Sequence, residues 1–435
     1  MSWRLWSAAV AGLALAGAAA VTAVAKPSEG PREETDGTTT SSARIRDLDI
    51  AFYRARVDRD PRSARDFTQL AGLYLQRARE TADNEDLMRA EATARHSLEL
   101  RTGRNDAAYG VLATSLMGQH RFAEALEVSH TLLNADSTST AARGLVAEAA
   151  LELGRYAEAG REFGRLASYQ AEVGVAPRLA RWAELRGRPE EARRLLRQAR
   201  DVAARRHGMP REQIAWFDLR LGDLALRAGR LDEAERELEA GLAILPQDHR
   251  LLGTLARLYA TRHEWKRAID AGELAVSRAL DPATLGLLHD AWVAQGDTSR
   301  AAEYSHAMAV AVLRQPGAYH RAWSLFLLDH DREVDRVLAH AEEELRTRQD
   351  VYGYDLVAWA LHKAGRDRDA LEPMGRALAL GTRDAMLHFH AGMIDRALGA
   401  DSAARARLDT ALAINPRWHP FQPTAARAVL DSLSR

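Results

Sequence analysis

The chain has 435 residues, 46% hydrophobic and 28% charged, with a formal net charge of -1. It is long enough to bury an ample core, and it lacks the basic excess by which a nucleic-acid-binding domain announces itself. Cysteine is absent, which excludes disulfides, thiolate metal sites, cysteine nucleophiles and lipid anchors on an N-terminal cysteine.

The first 25 residues differ from the rest. MSWRLWSAAVAGLALAGAAAVTAVA carries one cation, Arg4, then an uncharged run ending in the small residues Ala23 and Ala25. That pattern predicts a secretory signal peptide cleaved before Lys26. The alternative is an uncleaved anchor, since about 20 apolar residues span a bilayer. Both readings export the body, to the periplasm or beyond in the first case and to the periplasmic face of an inner membrane in the second. Residues 26–43, rich in Ser, Thr, Glu, Pro and Gly, read as a disordered linker. Arg supplies nearly all the basic residues, with Lys only at Lys26, Lys266 and Lys363, a bias matching a GC-rich bacterial source.

From residue 44 the chain repeats. The stretch from Asp218 to Pro246 aligns without a gap on that from His388 to Pro416, pairing Gly222 with Gly392, Gly229 with Gly399, Ala234 with Ala404 and Leu238 with Leu408. This resembles the tetratricopeptide repeat, a helix-turn-helix unit of about 34 residues. Ten repeats begin near Ala64, Asp106, Thr140, Val173, Ala215, His249, Pro282, Gln315, Val351 and Ala385. Inserts near Gln76 to Asp86 and Arg205 to Gln213 are expected in loops. Position 8 reads Ala71, Ala113, Ala147, Ala180, Gly222, Ala256, His289, Ala322, Ala358 and Gly392. The family keeps it small because paired helices touch there, and His289 is the departure, marking repeat seven as either the loosest or the most specialised.

The resemblance implies an all-α, right-handed solenoid of ten repeats over 64–418, capped by helices at 44–63 and 419–435. Capping follows from the physics of repeats, each of which exposes an apolar face that only a neighbour covers. Residues 423–434 read as an amphipathic cap with Val429, Leu430 and Leu433 inward and Arg427 and Asp431 elsewhere. No room remains for a separate catalytic domain.

Members of this family bind partners on a concave groove lined by first-helix positions 2, 5, 6, 9, 12 and 13. In repeats eight to ten these positions turn aromatic. Tyr319, His320, Trp323, Tyr352, Trp359, Phe389, His390 and Met393 form the candidate partner-binding surface, with Phe326 and Met386 beside them. Aromatics suit such a surface because they bury much area at little rotamer cost. The two tryptophans share position 9 of adjacent repeats. Further back Arg178, Arg181, Arg220, Asp223 and Arg257 form a secondary groove, more readily a mutually paired face than an anion site. The Lys and Asn sets by which specialised family members clamp a peptide carboxylate or an extended peptide are absent at the matching positions.

Two histidines in AMLHFHAGMIDRALG, His388 and His390, stand at a spacing that would aim both at one ion from a strand. On a helix residues i and i+2 point about 200° apart, so they cannot chelate together. A site between helices from His320, His362 and His390 lacks a carboxylate at ligand spacing, and no HExxH motif is present. No cofactor is implied. No nucleophile elbow or phosphate-binding loop occurs, and Asp290, Asp355 and Asp395 read as single first-helix acids with plain structural roles. The sequence therefore predicts an exported, non-enzymatic scaffold that binds a protein or peptide segment. Two alternatives stay open, an envelope accessory protein holding a polysaccharide on the same aromatics and a metal-binding protein using groove histidines.

Overall fold

A computed structural model describes residues 42–313 and 321–434. The signal-peptide and linker readings, apart from the last two linker residues, fall outside the described residues, as do Tyr319 and His320. Among the described residues the chain forms twenty-two α-helices, one three-residue 3-10 helix and no strand. Successive helices pair, so the described chain is all-α and built of helix-turn-helix units, as the resemblance to tetratricopeptide repeats implies.

Seven of the ten expected starts coincide with observed first helices, at Ala64, Asp106, Thr140, His249, Pro282, Val351 and Ala385. Local chemistry explains the precision. Ser63, Asp248, Asp281, Asp350 and Asp384 each accept a backbone N–H of the first turn that follows, satisfying donors that have no partner inside the helix. Repeat four starts three residues late, at Ala176. Pro177 falls in the first turn of that helix, where its missing N–H costs nothing, and its ring opposes helix upstream. Repeat five starts four residues early, at Arg211, just after Pro210.

One expectation about the inserts fails. Residues Gln76 to Thr81 continue the helix Ala64–Thr81, and the next, Asn84–Leu100, begins after only two residues. The extra residues lengthen both helices because Ala and Arg are strong helix formers. Ala82, in the left-handed region at φ 57°, and the capping Asp83 make the turn.

Position 8 behaves as its size demands. A Cβ on Gly222 would lie 2.7 Å from Leu238 Cγ, and one on Gly392 would lie 2.7 Å from Leu408 Cγ. The same leucine of the paired helix fills the same gap in two repeats.

The described residues divide into two compact units. One comprises residues 42–150 and 157–178. Its first helix, Ser42–Arg59, turns Ile50 and Val57 inward and leaves Ile45, Leu48 and Phe52 exposed at 51%, 59% and 52%. Farther in, Thr68, Ser97 and Asn105 form a buried hydrogen-bonded set, Thr68 Oγ1 lying 2.8 Å from Ser97 Oγ and Asn105 Nδ2 donating to Ser97 Oγ at 3.0 Å.

The other unit comprises residues 151–156, 179–313 and 321–434. Within it the chain returns on itself. Arg348 Nη2 donates to Glu152 Oε2 at 3.0 Å, and the Val351 N–H donates to the Tyr156 hydroxyl at 2.7 Å. The Thr382 hydroxyl donates to the Leu185 carbonyl, and Asn415 Nδ2 to the Leu226 carbonyl at 2.9 Å. His263 Nε2 donates to the Pro420 carbonyl at 2.9 Å, and Trp265 stacks on Phe421. In register, the turns of repeats three and four meet the loops entering repeats nine and ten, and those of five and six meet the C-terminal segment. At the end, Val429, Leu430 and Leu433 are half-buried, while Arg427 and Asp431 are exposed.

Two turn glycines permit this return. Gly154 (φ 72°) and Gly187 (φ 70°) hold a backbone conformation that L side chains resist, and a Cβ on them would lie 2.0 Å from the Gln349 carbonyl oxygen and 2.2 Å from that of Gly381. Gly365 has the same φ, 71°, with nothing within 4 Å of a Cβ. Gly365→Ala should therefore cost only the left-handed penalty, about 1–2 kcal/mol. Gly154→Ala should cost clearly more, because it also displaces the 347–350 loop. Urea denaturation of the pair measures the return contact, and equal losses would deny it any energetic role.

Candidate functional site

The candidate groove lies in the C-terminal unit, and the return of the chain fills much of it with its own walls. The expected solvent-facing anchors are mostly interior. Trp323 is 9% exposed, Trp359 4%, Phe389 is buried and His390 is 0% exposed. Only Tyr352 and Met393 of the described aromatic set are half-buried. This corrects the expectation that position 9 of repeats eight and nine faces solvent.

The reason is visible around Trp359. Its ring stacks on His390 at 4.1 Å between centroids and on His362 at 4.9 Å, and its Nε1 donates to Asp329 Oδ1 at 3.2 Å. Gln422 donates to the other Asp329 oxygen at 3.4 Å and accepts from Trp418 Nε1 at 2.8 Å. Trp418 in turn packs on Phe389. The C-terminal segment thus covers the rings that sequence reading left open. Trp323 stacks on Phe326, itself buried.

His390 donates from Nδ1 to Asp355 Oδ1 at 2.7 Å, and Arg321 Nη2 donates to Asp355 Oδ2 at 2.6 Å. Burial opposes ionisation of Asp355, but His390 and Arg321 outweigh it and hold its carboxyl below the ordinary range. His362 pairs with Asp367 at 2.5 Å. His362 and His390 therefore each have a carboxylate partner, where the sequence offered no acid at ligand spacing. His390 and Asp355 are 35 residues apart, a separation that sequence spacing does not reveal.

The arginine set, Arg178 apart, is brought together on two shared carboxylates. Glu184 accepts from Arg181 at 3.2 Å and Arg220 at 3.1 Å, and Asp223 accepts from Arg220 at 3.0 Å, Arg227 at 3.1 Å and Arg257. Arg227 also donates to the Tyr352 hydroxyl at 3.2 Å, and the Arg181 and Arg321 guanidinium groups lie over the Tyr352 ring. Arg178 stands in the other unit, where it pairs with Glu148 at 3.0 Å. Glu184 shares that groove in the sequence as well, and Arg227 was legible in part, since it occupies groove position 13 of repeat five. Arg348 and Glu152, which tie turn to loop, carried no sequence signal.

Among the described residues one set of three groups has ligand atoms all within 4.8 Å of one another, His289, Asp290 and His330. His320, one of the three groove histidines considered from sequence, lies outside the described residues.

No family model matches the chain, and none of the curated proteins matches it. Solved structures are similar in part. The Cut9–Hcn1 APC/C hetero-tetramer is 14% identical, covers 90% of this chain and 94% of its own, and has a TM-score of 0.35. A tetratricopeptide repeat protein from Parabacteroides merdae is 18% identical over 57% of this chain and 97% of its own, TM-score 0.38. The human IFIT1 dimer with PPP-AAAA is 14% identical over 78% and 95%, TM-score 0.41.

Two outcomes follow from the burial. Trp359→Ala should cost about 3–5 kcal/mol of stability, as loss of a packed aromatic does, and a denaturation midpoint equal to wild type would return this ring to the solvent face. Asp223 gives a pH dependence. Burial raises the cost of its charge, but Arg227, Arg257 and Arg220 outweigh that and hold its carboxyl well below the ordinary range. A lowered folded-state pKa contributes stability that is complete above the unfolded value and is lost as pH falls through the folded one. The stability advantage of wild type over Asp223→Asn should therefore be largest near neutrality and shrink below about pH 4, read by urea denaturation across that range.

Proposed function

We propose that the chain is an exported, non-enzymatic scaffold that holds a protein partner. The observation that carries this reading is the apolar stripe Ile45, Leu48 and Phe52 on the first helix. These residues stand at i, i+3 and i+7, on one helical face, and each is more than half exposed. The outer face of a terminal helix in a repeat array must be polar for the array to stay soluble alone. An apolar stripe there fits the groove of a partner that recognises spaced helical anchors. In the C-terminal unit the half-buried Tyr352, Met393, Arg181 and Arg257 offer a second, more polar contact surface.

Export rests on residues 1–25 and the Ala23 to Ala25 cleavage pattern. No helix among the described residues is long and apolar enough to cross a membrane. A polysaccharide ligand has less support, since Trp323, Trp359 and Phe389, on which sugar rings would stack, are covered by the chain itself.

The test is crosslinking capture from the envelope fraction with wild type and with Leu48→Glu/Phe52→Glu. A protein should crosslink to wild type, and the double variant should lose at least ~10-fold in capture with unchanged helicity and melting. Capture of carbohydrate, or equal capture by both chains, would overturn the reading. N-terminal sequencing of the same material should begin at Lys26, whereas retention of Trp3 and Trp6 in a membrane fraction would favour the anchor.

A further inference from the structure

We infer that repeats seven and eight build a binding site for one divalent transition-metal ion from His289, Asp290 and His330. The argument begins with the position 8 rule. Nine repeats keep a small residue where paired helices touch, and the seventh carries His289. The seventh repeat gives up the small residue there, and the structure shows what the imidazole gains. His289 Nδ1 lies 2.8 Å from the carbonyl oxygen of Ala301 in the paired helix Thr298–Leu313. A carbonyl only accepts, so Nδ1 carries the proton and Nε2 of the neutral ring keeps its lone pair. Metal-binding histidines are oriented in this way, with the distal N–H held by a backbone carbonyl or carboxylate.

The other two ligands converge on the same point. Asp290 follows on the same helix, Pro282–Ala294, and its Oδ1 lies 2.9 Å from His330 Nε2, just beyond the helix Arg321–Asp329. The His289 and His330 rings meet edge-on at 5.1 Å between centroids, with Phe326 against both. A tetrahedral ion bound at about 2.0–2.2 Å sets its ligand atoms roughly 3.3 Å apart. Ligand atoms already within 4.8 Å of one another reach that spacing by small side-chain rotations. Asp290 and His289 are half-buried and His330 is exposed, so an ion has a path in.

Two imidazoles and one carboxylate are a donor set for zinc and its neighbours in the first transition row. Three protein ligands leave a fourth position to water or to a group from outside. Binding breaks the His330 to Asp290 hydrogen bond, and Nε2 is freed either by loss of one proton to solvent from a doubly protonated ring or, in a neutral ring, by transfer of its single proton to Nδ1. The inference does not depend on the scaffold reading.

Titration of the purified chain with Co2+ and Zn2+, followed by calorimetry and by the intense visible absorption of four-coordinate cobalt, tests the assignment. One equivalent should bind. His289→Ala, which restores the small residue of the other repeats and should melt no lower than wild type without metal, should weaken binding at least ~10-fold, and so should Asp290→Asn and His330→Gln. His362→Gln should leave it unchanged. Absence of saturable binding, binding that survives His289→Ala and His330→Gln, or equal loss in His362→Gln would overturn the site.

Discussion

The constraint on which the C-terminal unit depends is the approach of helix turns to loops six repeats farther along. At Gly154 and Gly187 that approach is backbone to backbone, with no space for a Cβ. Around these points Arg348 ties Glu152 to Asp350, and Thr382 and Asn415 satisfy carbonyls at the ends of two first helices. The Leu226 carbonyl also accepts from the Gly229 N–H of its own turn at 3.0 Å, and Asn415 adds a second donor. Side chains from the next circuit of the chain thus complete these helix ends, so the winding is fixed by specific hydrogen bonds as well as by packing between neighbours.

The contents of the groove follow from that closure. Once the chain returns, inner-face positions meet each other instead of solvent, and their charges must be matched inside. Glu184 and Asp223 are shared among four arginines, and Asp355 bridges His390 and Arg321. Buried ion pairs contribute little net stability, but removing one partner is costly. The network therefore acts mainly as a register device. A shifted winding would strand charges that the observed one pairs, which penalises alternatives more than it stabilises the fold.

Sequence revealed what is local. The helix pairs, their starts after Ser63, Asp248, Asp281, Asp350 and Asp384, and the small position 8 all arise from interactions within one repeat or between adjacent ones. The same alignment placed the arginines on one inner face and noted His289 as an exception. It failed where a residue's surroundings come from far along the chain. Trp323 and Trp359 stand at groove positions, yet Phe326 and the 415–422 segment decide their exposure. Asp290 and Asp355 read as plain acids because their histidine partners lie 40 and 35 residues away. The insert at 76–86 was misplaced for a simpler reason, since its own helix propensity prevailed over the habit of putting extra residues in loops.

In a repeat array each unit needs only its neighbours, so a stretch of chain can be completed as soon as the adjoining repeats have been made. The Asn415 bond to the Leu226 carbonyl breaks that order, because its partners are 189 residues apart in the chain. At the usual pace of synthesis, about 5–20 residues per second, repeats five and six wait roughly 10 to 40 s for the segment that finishes them. During that interval the arginines of repeats four to six have none of the contacts that Tyr352 and Asp384 later supply. Residues 415–422 act as the closing stitch of a seam sewn much earlier, and a chain cut short before Asn415 would emerge with its middle, and not only its end, unfinished.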